Sequence, residues 1–72
     1  MTKIDIMILN TECRVKALTK SLNEAKESIQ HTLSMPNEID SMSIMQNAKI
    51  IGELQTEIRT LNEQIQMLKS LQ

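Results

Sequence analysis

No phenylalanine, tryptophan or tyrosine occurs among the 72 residues, and glycine, proline, cysteine and histidine occur once each. Small sandwiches and barrels draw on aromatic and β-branched residues and turn on Gly and Pro, so this composition argues against an all-β fold. One cysteine cannot build an internal disulfide framework, and one Cys with one His cannot close a four-ligand zinc site within one chain. The lone Gly52 excludes a glycine-rich phosphate loop. The usual staples of a very small protein are therefore missing. What remains is long, well-packed helices or a partner chain. The length allows one domain at most, and a chain this short buries only about 60% of its extended-chain surface.

An excess of charge of either sign is missing too. Eight Lys and Arg stand against nine Asp and Glu, a formal net charge of −1. Residues 1–35 carry +1 and residues 36–72 carry −2. Without a basic stripe to neutralise phosphates, or aromatics to stack on bases, nucleic-acid binding is disfavoured. The longest apolar run, Ile6–Leu9, is four residues, far short of a membrane span. No basic region followed by an apolar stretch of about 7–15 residues opens the chain, so no secretory leader is expected. The expectation is a cytoplasmic protein with a reduced thiol.

What the sequence does have is a seven-residue period. In the second half Ile44, Ile51, Ile58 and Ile65 occupy position a. Asn47, Leu54, Leu61 and Leu68 occupy position d. Isoleucine at a with leucine at d is a coiled-coil seam. In the first half Met1, Ile8, Val15, Leu22 and Ile29 take a, and Ile4, Thr11, Leu18, Ala25 and Thr32 take d. This seam is looser, and its small residues allow a close helix approach. Thr2 with Asp5 three residues on resembles a capping box at the start of the first helix. Gly52 falls at an outward b position, where it weakens a helix by about 1 kcal/mol relative to Ala.

Pro36 interrupts the pattern. It disfavours the α conformation at Met35, so the first helix is expected to stop near Leu33. Ser34, Met35, Asp40 and Ser41 are candidate caps for the second helix. The expected fold class is all-α: a two-helix antiparallel hairpin with coiled-coil-like packing in one domain, residues 1–72. Its helices span about 2–33 and about 41–71, with a turn over about 34–40. The rival is one long coiled coil kinked at Pro36, which the cost of about 3 kcal/mol for an interior proline opposes.

The candidate chemistry is thin. Cys13 and His31 lie eighteen residues apart on one helix, about 27 Å at 1.5 Å per residue, too far for a nucleophile–base pair. Glu24 with Glu27, and Glu53 with Glu57, share helix faces but lack an enclosing pocket and read as wet surface. No catalytic residue, metal ligand or cofactor is expected, and the chain does not read as an enzyme.

The informative feature is apolar surface beyond the seam. Ile6, Leu9 and Cys13 are spaced i, i+3 and i+7 along a second stripe, with Met7 between the stripes. Met45, Ile50, Met67 and Leu71 also fall outside the second seam. In an antiparallel hairpin Ile6, Leu9, Met67 and Leu71 meet at the open end. One internal interface cannot cover two stripes, so Ile6, Leu9, Cys13, Met67 and Leu71 are the candidate partner-binding residues.

The run Lys16-Ala17-Leu18-Thr19-Lys20-Ser21-Leu22-Asn23-Glu24-Ala25, and Asn47-Ala48-Lys49 ahead of the Ile/Leu seam, add a resemblance. With the size and the helix–turn–helix order, the chain resembles the YscE-type co-chaperones of type III secretion needle subunits. That resemblance implies a cytoplasmic helical hairpin that pairs with a tetratricopeptide-repeat chaperone. Together the two hold the needle subunit unpolymerised before export, without catalytic residues. The alternatives are a self-associating coiled-coil oligomerisation protein and a small phage-type regulator that binds a host protein.

Overall fold

The computed structural model describes residues 1–34 and 41–72. Helix α1 runs Lys3–Ser34 and helix α2 runs Ser41–Ser70. Ser34, expected in the turn, is the last residue of α1. The remainder of the expected turn, Pro36 and the Met35 and Asp40 caps lie outside the described residues.

The start of α1 is fixed locally. The Thr2 backbone N–H donates to Asp5 Oδ2 at 3.1 Å, and the Asp5 N–H donates to Thr2 Oγ1 at 3.2 Å. This reciprocal pair satisfies two backbone donors that the first helical turn leaves without intrahelical partners. Asp5 also places negative charge at the positive end of the helix dipole.

The helices lie side by side and antiparallel, in a body of 55 × 16 × 12 Å. Its long axis is close to the roughly 48 Å that 32 residues of α-helix span. The Cα radius of gyration is 16.5 Å, against about 11 Å for a compact domain of this length. Polar links among the described residues tie α1 to α2 or the chain end that follows it. Asn47 Nδ2 donates to Ser28 Oγ at 3.3 Å, Arg14 pairs with Glu57 at 2.8 Å, and Gln72 Nε2 donates to Asp5 Oδ1 at 2.6 Å. They bracket the connector almost symmetrically, which defines a hairpin.

Packing follows the seven-residue pattern. From Ile4 to Leu68 every a and d residue described is buried or half-buried. Ile8, Ala25 and Ile65 are the deepest, at 6, 9 and 6% exposure. Met1 extrapolates the pattern past the helix start and is exposed. Thr11 and Thr32 fit the seam because their hydroxyls donate to the Met7 and Ser28 carbonyls one turn back. Among the described residues no buried side-chain nitrogen or oxygen lacks a hydrogen-bond partner.

Candidate partner-binding surface

A heptad helix packed through a and d has two flanks. Positions e and b lie beside a, and positions g and c lie beside d, with f on the outside. In an antiparallel pair e faces e and g faces g. The Arg14–Glu57 pair joins two g positions across one flank. Ser28, also at g, takes the Asn47 bond on that flank. The ion pair is 64 and 43% exposed at its two ends, so water screens it and it contributes little stability. Its structural consequence is to bridge the seam on that side.

All five partner-binding candidates are exposed, and all lie toward the open end. Ile6, Leu9 and Cys13 occupy the first three turns of α1. Met67 sits in the last turn of α2, and Leu71 falls just past it. The Gln72–Asp5 hydrogen bond holds the chain end over the start of α1, which keeps Leu71 at this end. Around the helices the five diverge. Ile6 and Cys13 are at f, on the back of α1. Leu9 is at b on the e/b flank, and Met67 and Leu71 are at c and g on the other. They form an apolar collar around one end of the hairpin rather than a single flat patch. Leu9 and Met67 are 51 and 65% exposed, in contrast to Ile8 and Ile65 at 6% beside them. That contrast separates inward from outward faces at this end.

Asp5 accepts hydrogen bonds from both chain termini at this end. The Thr2 backbone N–H first, then the Gln72 amide and the Thr2 hydroxyl, hold its carboxyl below the usual carboxylate value, against a smaller opposing effect of desolvation.

Sequence reasoning missed the e/b flank. Two adjoining hollows of about 410 and 270 Å³ open along it. Leu22 and Ile58 floor the first, and Val15 and Ile65 floor the second. Asn62 and Gln66 line both, so the hollows form one groove. All four floor residues are at a, the position next to this flank. The available signal was the rim: Gln55, Asn62 and Gln66 are short or uncharged where a solvated helix normally carries Lys or Glu. A separate dent lies over Gly52 on the back of α2, where an added Cβ would meet nothing within 4 Å.

Among the described residues no three His, Cys, Asp or Glu side chains gather to hold a metal ion, and no helix is long and apolar enough to cross a membrane. No protein family, curated protein or solved structure matches the chain, so its own surface is what bears on function.

Proposed function

We propose that this chain is a non-enzymatic protein-binding module that lends apolar surface to a partner polypeptide. The observation that supports this reading is the exposed collar of Ile6, Leu9, Cys13, Met67 and Leu71 on a hairpin whose seam is already filled. Met1 and Met7 are exposed beside the collar, and Leu33, Met42, Met45 and Ile50 are exposed toward the connector; exposed apolar surface of this extent is characteristic of an interaction site. Met67 suits such a surface because its unbranched thioether adapts to irregular contacts. The resemblance gives the reading a specific form. The chain acts as a type III secretion co-chaperone in the cytoplasm, pairing with a tetratricopeptide-repeat chaperone so that the needle subunit stays unpolymerised. The mechanism is stoichiometric shielding. Each partner binds only the folded form of the other and raises its stability by mass action.

The test is coexpression with a tetratricopeptide-repeat protein and a small needle-like protein from neighbouring reading frames. The wild-type chain should purify with both. The double variant Ile6→Glu/Leu9→Glu should remain helical and lose them. Capture that is unchanged in the variant removes the collar as the site. Failure of the wild type to bind either protein removes the secretion role and leaves the general reading to be tested with other partners.

A further inference from the structure

We infer that the groove on the e/b flank is a self-association face, through which two copies of the hairpin close into a four-helix bundle. This goes beyond the partner reading: of its five residues Leu9 shares that flank, while Ile6, Cys13, Met67 and Leu71 lie off it.

Three observations select a second copy as the occupant. The first is area. The hairpin exposes 5653 Å², whereas a compact monomer of its mass exposes about 4,500 Å². Two such chains packed as one compact body would expose about 7,500 Å². Pairing can therefore remove as much as about 3,800 Å² from water, within the range of about 2,000–5,000 Å² that obligate homodimers bury. The groove supplies an apolar centre for that contact: Val15, Leu22 and Ile58 are half-buried along it, and Ile65 is buried at its floor.

The second is charge. The groove margin carries both signs, Glu12 and Glu63 beside Lys16, Arg59 and Lys69. A two-fold axis presents the same surface to itself, so a face with both signs can match Glu12 of one copy to a cation of the other. Asn62 and Gln66, where the two hollows join, are uncharged and desolvate at lower cost than charged side chains. The third is the asymmetry of the flanks. The g/c flank is bridged over its seam by Arg14–Glu57, and the open groove lies on the e/b flank.

Light scattering during size exclusion over a dilution series of the full chain, from about 100 µM downward, reads the outcome as a dissociation constant, because area alone does not set affinity. At the top of the series the wild type should have a mass of about 16 kDa, twice the 8.2 kDa chain. Asn62→Glu puts a carboxylate at the middle of the groove without touching the seam. It should weaken association by about tenfold or more through like-charge contact. Thr60→Glu, exposed on the opposite flank, should leave the dimer intact. Glu12→Lys should weaken the dimer and Glu12→Lys/Lys16→Glu should restore it. Circular dichroism checks that each variant is helical, and Gln66→Glu replaces Asn62→Glu if that variant is not. A wild-type monomer, or Asn62→Glu and Gln66→Glu chains as dimeric as wild type, would overturn the inference. Loss of the dimer from Ile6→Glu/Leu9→Glu with Asn62→Glu unaffected would overturn it as well, moving the interface to the collar. So would a wild-type chain that stays monomeric until a foreign amphipathic helix fills the groove.

Discussion

Replacing Ile65 with alanine removes three carbons from one of the deepest side chains of the hairpin. Ile65 is 6% exposed and fills the a layer at the open end, where the antiparallel register brings Ile8. Three carbons at about 0.8 kcal/mol each give a transfer loss of about 2.4 kcal/mol. The cavity left behind adds to it, and buried Ile→Ala changes span about 2–5 kcal/mol. A two-helix seam is open on its flanks and can partly collapse, which puts this site near 3 kcal/mol. A 72-residue chain has about 4–11 kcal/mol in all, so roughly a quarter to three-quarters of its stability is at stake. At roughly 4–8 °C per kcal/mol for a domain this small, the midpoint should fall by about 12–24 °C. The control is Met67→Ala, two residues on and 65% exposed, expected within about 0.5 kcal/mol of wild type. Both are measured by far-UV circular dichroism melting at one chain concentration, because self-association would make the midpoint concentration-dependent. A cost below about 1 kcal/mol for Ile65→Ala, or equal costs for the two variants, would mean that the inward face is assigned wrongly.

Three further changes test other parts of the fold. Ala25→Leu crowds three carbons into a buried d position; urea unfolding should show a loss of about 1–3 kcal/mol. Gly52→Ala adds a methyl group that meets nothing within 4 Å at a helical position without positive φ; the same assay should show a gain of about 0.5–1 kcal/mol. Asp5 has a folded pKa below its unfolded value, so its stabilisation is present above about pH 4 and is lost as pH falls through the folded value. Melting from neutral to acid pH should therefore show a smaller acid-side fall in Asp5→Asn than in wild type, and equal falls would remove Asp5 from the acid response.

The seam was legible in the sequence because burial in a two-helix hairpin is set almost wholly by position along a heptad. Ile44 to Leu68 could be placed from spacing alone, as could Ile4 to Thr32, including the two threonines. Their hydroxyls bond to their own helix, so they need no partner from the other. The Thr2–Asp5 cap was legible for the same reason, since both residues lie within one turn. The cross-links were not. Arg14–Glu57 and Gln72–Asp5 depend on the register of two helices joined through residues 35–40, and no local pattern fixes that register. The depth of Ala25 agrees with the close approach expected of the small seam residues: the helices close around it, and it ranks among the most buried described residues. The collar residues could be named from spacing, but their spread over three sides of the hairpin follows only once the flanks are assigned.

The shape of the molecule connects this thin core to a binding role. An unfolded chain of this mass exposes about 11,900 Å², and the hairpin still exposes 5653 Å². Folding alone thus removes just over half of the chain's surface, less than the roughly 60% typical of even a 60-residue domain. Each seam residue is covered by one neighbouring helix where a bundle would supply two or three. The remaining apolar area includes a collar at one end, a groove along one flank, and Leu33, Met42, Met45 and Ile50 toward the connector. Either surface, once covered, adds burial that the isolated chain cannot supply from its own length. Partner binding and the stability of the fold are then one equilibrium, because a ligand of the folded state raises its stability in proportion to the logarithm of its concentration over its dissociation constant. Under the proposed partner binding, the exposed isoleucine, leucine and methionine side chains are the means by which a second polypeptide would set how much of the chain is folded.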